Sequence, residues 1–279
     1  MRTRNLMPWS LAVLTAAAAH AAAETPLERG RYLMRSIVAC GNCHTPQGPN
    51  GPLAGKELAG GLPFVEKPFT AYASNITPDK ATGIGRWTDA QIVTAIREGR
   101  RPDGTLIGPP MPFGLYRSMA DSDVAAIVAY LKSVPAVANA VPKSEYRMPL
   151  PPNYGPPVGR VADVPRNDKL AWGRYLAGPL GHCIECHSGP GPQGVPDVEN
   201  QLGAGGLHFP GPWGVSVASN LTPRGLSGYT DAALKTVITR GVRPDGSRLK
   251  PPMGTAYYAN LSAADLDALV AYLRSLPPK

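Results

Sequence analysis

The chain is poor in aromatic residues, in cysteine and in long apolar runs. Phe, Trp and Tyr make up 7% of its 279 residues, with four phenylalanines and four tryptophans. That is little aromatic mass for two cores, so apolar bulk would have to come from outside the polypeptide. Beyond residue 23 no stretch approaches the roughly 20 consecutive apolar residues of a membrane span. A dense basic stripe with a recognition motif is also missing, which excludes nucleic-acid binding. The 28 Lys and Arg against 20 Asp and Glu are scattered and read as a solvated surface with room for one docking patch.

Cysteine is the most informative scarcity. All four cysteines fall in two short runs, Cys40-Gly-Asn-Cys43-His44 and Cys183-Ile-Glu-Cys186-His187. Cysteines three apart lie about one helical turn apart, so both thiols can face one porphyrin edge and form two thioether links. The adjoining histidine then aims its imidazole at the iron. The expectation is two covalently bound haem c groups, on Cys40, Cys43, Cys183 and Cys186, with His44 and His187 as proximal ligands. A zinc site needs four ligands, and neither run has a fourth partner. A thioredoxin-like pair would follow a strand in a βαβ unit, whereas these runs sit between a helical segment and a Gly/Pro-rich loop.

The first 23 residues read as an export signal. Arg2 and Arg4 form a basic start, Leu11 to Ala19 an apolar stretch, and Ala21-Ala22-Ala23 a small-residue cleavage site before Glu24. Periplasmic localisation follows as the expectation, with no transmembrane anchor after signal removal. Loss of Arg2 and Arg4 leaves 26 basic against 20 acidic residues.

The rest of the chain is written twice, with an offset near 143. Gly30-Arg-Tyr-Leu33 returns as Gly173-Arg-Tyr-Leu176, Ser74-Asn-Ile-Thr-Pro78 as Ser219-Asn-Leu-Thr-Pro223, and Pro109-Pro-Met111 as Pro251-Pro-Met253. Domains are expected over 24–140 and 166–279. Residues 141–165, with seven prolines, connect them, either as a semi-rigid polyproline spacer or as a plain linker. Each copy reads as a helix before the Cys run (Leu27 to Ala39, Asp168 to Ala177), a helix from Thr88 or Thr230, and a last helix (Asp121 to Ser133, Ser262 to Ser275). Thr88 and Gln91 form a capping box. Little strand signal survives the Gly-Pro punctuation, so the fold class expected is all-α, two tandem domains with long Gly/Pro-rich loops. Gly30 and Gly173 in the first helices, with Tyr130 and Tyr272 in the last, suggest a close helix crossing in each copy.

Met111 and Met253 stand out as sixth ligands. Each follows Pro-Pro at the same place in its repeat, 67 and 66 residues after its proximal histidine. A thioether is a soft ligand that favours the ferrous state, and the prolines stiffen its loop. Met119 and Met148 have no counterpart in the second copy, and His182 and His208 have no histidine counterparts in the first and read as surface residues. Asn75/Asn220, Trp87/Tyr229 and Arg101/Arg243 either meet the cofactor edge or serve as turn and helix-start chemistry.

On these motifs, together with Arg97-Glu-Gly-Arg-Arg-Pro-Asp-Gly104, Pro109-Pro-Met-Pro-Phe113 and the terminal Ala-Tyr-Leu helices, the chain resembles the class I cytochrome c fold twice over. More narrowly it resembles the cytochrome c subunits of periplasmic alcohol, aldehyde and gluconate dehydrogenases. The resemblance implies His44/Met111 and His187/Met253 as axial pairs. It also implies an electron-transfer protein or subunit and no enzyme, fed by a periplasmic dehydrogenase and emptied by a small cytochrome or terminal oxidase. Those subunits commonly carry three haem domains and a membrane-associating end, whereas two haem motifs are present here, which fits a two-haem relay. The alternative class is a dihaem enzyme of peroxidase or thiosulfate dehydrogenase type. It needs an open haem face or a cysteine ligand, and neither is offered here.

Overall fold

The computed structural model describes residues 23–49, 51–192 and 195–279. The expected export signal lies outside the described residues except for Ala23. The first repeat runs α1 (Pro26–Arg35), α2 (Gly41–His44), two short strands β1 (Gln47–Gly48) and β2 (Gly51–Pro52), and a hairpin of β3 (Pro63–Glu66) and β4 (Phe69–Tyr72). It continues through α3 (Asp89–Glu98), α4 (Phe113–Tyr116) and α5 (Asp121–Ser133). After a strand β5 (Glu145–Tyr146), the second repeat runs α6 (Lys169–Tyr175), α7 (Cys183–His187), and a hairpin of β6 (His208–Gly211) and β7 (Gly214–Val217). It closes with α8 (Asp231–Arg240), α9 (Thr255–Tyr258) and α10 (Ala263–Arg274).

Local chemistry accounts for the helix limits. α1 begins on a capping box: the Glu28 N–H donates to the Thr25 hydroxyl at 3.2 Å, and the Thr25 N–H donates to the Glu28 carboxylate at 2.9 Å. The expected box of Thr88 and Gln91 opens α3, whereas at α8 the Thr230 hydroxyl alone caps, accepting from the Ala233 N–H at 3.1 Å. Both helices stop at a glycine in the left-handed region, Gly99 at φ +62° and Gly241 at φ +64°, where a side chain would be strained. The helix expected to run on from Asp168 is regular only to Tyr175 and widens into a π turn over Leu176–Leu180, which contains Pro179.

Each repeat is organised by a crossing of its first and last helices, α1 on α5 and α6 on α10. The expected glycine-tyrosine pairing closes both. A Cβ on Gly30 would stand 1.9 Å from the Ala126 carbonyl oxygen and 3.0 Å from Tyr130 Cβ. On Gly173 it would stand 2.1 Å from the Ala268 oxygen and 2.7 Å from Tyr272 Cβ. The buried side chains of both repeats form one continuous cluster, with Leu33, Ile37, Ile127, Leu176 and Leu180 among its most enclosed members. Among the described residues, no helix is long and apolar enough to cross a membrane.

The all-α expectation is overturned. The protein is 34% helical with 11% strand in three small sheets among the described residues, a mixed α and β architecture. The Gly/Pro loop of each repeat folds into an antiparallel hairpin, with Pro63 opposite Tyr72 in the first and His208 opposite Val217 in the second. Four-residue strands joined through Lys67-Pro68 or Pro212-Trp213 are too short and too proline-rich to show a period of two in sequence. β4 alternates between buried and half-buried positions, enclosing Phe69 and Ala71.

The proline-rich connecting segment is laid along the first repeat. Its β5 pairs with β4, Phe69 opposite Tyr146. Further along, the Arg100 guanidinium donates to the Pro152 carbonyl at 3.2 Å, and the Val158 N–H donates to Glu98 at 2.9 Å. The Asp121 N–H donates to the Val161 carbonyl at 3.0 Å.

Candidate functional site

The two Cys runs form the short helices α2 and α7, each entered from a strained residue. Ala39 at φ +48° and His182 at φ +40° occupy the left-handed region at matching places, which turns the chain sharply into the motif. In the first repeat Cys40 and Cys43 lie one helical turn apart, with the His44 N–H donating to the Cys40 carbonyl at 2.8 Å.

Each histidine is held by the same main-chain partner. His44 Nδ1 lies 2.7 Å from the Ser74 carbonyl oxygen, and His187 Nδ1 lies 2.7 Å from the Ser219 carbonyl oxygen. A carbonyl only accepts, so Nδ1 carries the proton and donates it, and Nε2 is left with a free lone pair. Burial lowers the pKa of both imidazoles, opposed by these hydrogen bonds, and keeps them neutral. Ser74 and Ser219 open the repeated Ser-Asn-Ile/Leu-Thr-Pro runs. The loop between is tied back at Gly60 and Gly205, whose N–H groups donate to the His44 and His187 carbonyls at 2.7 and 2.8 Å. A Cβ on Gly60 would stand 2.4 Å from the Ser74 carbonyl carbon, so only glycine permits this approach.

Cys40, His44 and Met111 line one cavity of about 570 Å³ in the first repeat. Its walls are largely apolar, with Ile76, Ile84, Trp87, Ile92, Ile107 and Leu131 among them. Such a space, bearing a thiol, an imidazole with a free Nε2 and a thioether, fits a flat, apolar, iron-bearing macrocycle. In the second repeat Cys183 and Met253 pack against the core as Cys40 and Met111 do. Both methionines follow a cis Pro-Pro bond.

The thiols speak against the competing chemistries. Burial pushes Cys40 up to about 12, Cys43 to about 11, Cys183 to about 11 and Cys186 to about 12. A redox thiol pair needs a depressed value, so these are protonated thiols and not activated thiolates. Among the described residues, no three His, Cys, Asp or Glu side chains converge as a metal-ion set.

Of the weaker candidates, Asn75 and Asn220 do turn chemistry. Asn75 Oδ1 accepts from the Thr77 N–H and hydroxyl at 3.0 and 2.7 Å, while its amide donates to the Val137 carbonyl at 2.8 Å. Asn220 repeats this with Thr222 and the Lys279 carbonyl. Arg101 and Arg243 donate to the Leu106 and Arg248 carbonyls within their own turns, and Asn75, Trp87 and Arg101 also line the first-repeat cavity. His182, expected on the surface, is half-buried instead, its ring edge-on to Tyr116 at 6.1 Å, because the π turn Leu176–Leu180 just before it packs against α4. His208 is exposed as expected.

A second constellation, unread in the sequence, joins the repeats. The Tyr32 hydroxyl donates to Asp265 at 2.5 Å and accepts from the Ser262 N–H at 3.0 Å. At the matching positions, the Tyr175 hydroxyl donates to Asp123 at 2.8 Å and accepts from the Ala120 N–H at 2.9 Å. Each repeat therefore offers the same tyrosine to the same aspartate of the other, the signature of a twofold contact. Arg29 pairs with Asp123 at 2.8 Å, and the Trp172 indole N–H donates to Asp265 at 2.7 Å. The first motif helix also reaches the second repeat: Asn42 donates to the Pro252 carbonyl, next to Met253, at 3.1 Å. The repeated Gly-Arg-Tyr-Leu run was the available signal, but its tyrosine carries no chemistry until its partner is known.

No family model matches the chain. Among individual proteins, the fructose dehydrogenase cytochrome subunit of Gluconobacter japonicus is 32% identical over 280 residues, 95% of this chain and 55% of that protein. The cytochrome c subunit of the quinone alcohol dehydrogenase of Komagataeibacter europaeus is 31% identical over 308 residues, 100% of this chain and 63% of that protein. A diheme c-type cytochrome of Cereibacter sphaeroides is 28% identical over 250 residues, 85% of this chain and 82% of that protein. The chain thus spans less than two thirds of the length of either dehydrogenase subunit just named. Over most of its length it is a homologue of the cytochrome c subunits of fructose, alcohol and gluconate dehydrogenases and of a diheme c-type cytochrome.

Proposed function

We propose that this chain is an electron-transfer cytochrome with two haem c groups, one in each of two domains spanning 24–140 and 166–279. Cys40 and Cys43 hold one haem and Cys183 and Cys186 the other, with His44/Met111 and His187/Met253 as axial pairs. It acts in the periplasm, taking electrons from a dehydrogenase and passing them to a small cytochrome or terminal oxidase. The observation that carries this reading is the twofold one: in both repeats a Cys-x-x-Cys-His helix presents an imidazole whose Nδ1 is committed to a serine carbonyl. The cytochrome relatives support electron transfer as the activity.

Bound at these positions, haem c supplies one-electron exchange at iron. The polypeptide does the rest. The Ser74 and Ser219 carbonyls orient the imidazoles and raise their basicity. Met111 and Met253 would hold the group as second ligands and so would keep small ligands out, which is what separates a carrier from a peroxidase. Apolar walls exclude water from the cavity and hold the potential up.

Mass spectrometry of the denatured protein should find two haems per chain. Met111→Ala and Met253→Ala should each turn one haem high-spin and abolish its thioether-to-iron charge-transfer band. One haem or none, or unaltered spectra in both variants, would refute the ligand assignment. Substantial peroxidase turnover with both methionines bound would refute the carrier role.

A further inference from the structure

One main-chain oxygen is held in both repeats, by side chains that the repeat does not relate. Pro109 and Pro251 stand two residues before Met111 and Met253. The hydroxyl of Tyr146, in the connecting segment, donates to the Pro109 carbonyl at 3.2 Å. The Pro251 carbonyl accepts instead from the hydroxyl of Ser216, in the second repeat's own hairpin, at 2.5 Å. The position matching Ser216 in the first repeat is Ala71, which has no hydroxyl to give. Two unrelated donors on one equivalent carbonyl point to a requirement at that place, a loop fixed just ahead of the methionine.

The connecting segment grips the other side of Met111 as well. Tyr154 stacks on the buried Phe113, two residues after Met111, with ring centroids 4.8 Å apart and planes at 26°. It also lies over Gly99, where a Cβ would stand 3.0 Å from its ring. Tyr146 covers Gly108, where a Cβ would stand 2.4 Å from its ring, and lines the same cavity as Cys40, His44 and Met111. Its own place is fixed by the next residue. The Arg147 N–H donates to the Pro68 carbonyl at 2.9 Å, and the Arg147 guanidinium donates to the Glu66 and Lys67 carbonyls at 2.6 and 3.0 Å. An unbranched thioether side chain is mobile by itself, so the position of its sulfur depends on how firmly its loop is held. We propose that the connecting segment clamps the Met111 loop, with Tyr146 and Tyr154 as positioning residues for the Met111 sulfur and Ser216 in that role for Met253. This rests on the axial pairs proposed above.

The test uses the ferric holoprotein and free imidazole, which binds a haem only when its methionine has left, so that apparent affinity rises with the fraction of open loops. In a Met253→Ala background the remaining thioether-to-iron band belongs to Met111. There Tyr146→Phe, which keeps the ring and removes the hydrogen bond, should tighten imidazole binding about threefold to tenfold. Tyr154→Ala should also tighten it, and Tyr154→Phe, which restores the ring, should return it to the parent value. Ser216→Ala should leave it unchanged, yet should tighten imidazole binding at the other haem in a Met111→Ala background. The proposal is overturned if Tyr146→Phe or Tyr154→Ala leaves affinity at the Met111 haem unchanged, or if Tyr154→Phe acts as Tyr154→Ala does. It is equally overturned if Ser216→Ala affects both haems alike or neither, since a general loss of stability would not choose between them. A parent protein without the thioether band would instead defeat the axial pairing itself, and the clamp with it.

Discussion

Asp121 shows how far a single side chain can tie the molecule together. Its carboxylate accepts from the buried Arg97 guanidinium at 2.7 Å and from the Val161 N–H at 3.3 Å, and Arg97 also reaches the Met119 carbonyl. The Arg97 hydrogen bond, and then the main-chain one, hold the Asp121 carboxyl below its usual range. A lowered folded value means that the unfolded chain takes up the proton first. The stability contributed by Asp121 is therefore complete above about pH 4, the ordinary carboxylate range, and is lost as pH falls through the depressed value. Asp121→Asn should lower the urea midpoint at neutral pH and flatten its fall below about pH 4, relative to the parent protein. An unchanged acid slope would mean that the pair is not formed in solution. At this scale the sequence was legible where chemistry repeats. Cys40, His44 and Met111 stood out because Cys183, His187 and Met253 echo them, and the first three share one cavity. The Ser74 carbonyl was not legible, because a main-chain acceptor leaves no mark in residue type.

Between elements the controlling contacts are the two helix crossings. A methyl group at Gly30 meets the Ala126 carbonyl at 1.9 Å, a backbone atom that cannot swing aside. Gly30→Ala and Gly173→Ala should therefore each destabilise the protein by about 1–3 kcal/mol or more, despite the better helix propensity of alanine. Gly114→Ala is the control: it lies in α4 with nothing within 4 Å of its Cβ and should be neutral or slightly stabilising. Thermal unfolding of the three variants checks this, and equal midpoints would show that the crossings relax freely. The helices were legible because the 3.6-residue pattern and the Thr88 box mark them. The hairpins were not, since β3–β4 and β6–β7 depend on tertiary pairing and on proline-bearing turns. The same blindness hid the connecting segment's contribution of a third strand, β5, to the first sheet.

Over the whole molecule, the Tyr32–Asp265 and Tyr175–Asp123 bonds tie the two repeats to each other. Both tyrosine hydroxyls also accept a main-chain N–H, and at Tyr175 both bonds are buried, so Tyr175→Phe strands a carboxylate lone pair and a donor away from water. Hydrogen bonds to charged groups contribute about 1.5–3 kcal/mol, so Tyr175→Phe should lower stability by that order. The coupling has a sharper consequence. If the proposed second haem is attached through Cys183 and Cys186, replacing both by serine removes that attachment from the second repeat alone, and α6 and α10 should lose hydrogen-exchange protection. If the twofold contact transmits the loss, the Ala120 amide, which donates to Tyr175 across the interface, should also exchange faster, although it lies in the intact first repeat. The continuous buried cluster favours that outcome over the independence that two tandem domains would suggest. Adding Tyr32→Phe and Tyr175→Phe should then leave α1 and α5 no more exposed than in the tyrosine double variant with both haems attached. Full protection of Ala120 in the serine variant, with both tyrosines present, would show instead that each repeat stands on its own haem.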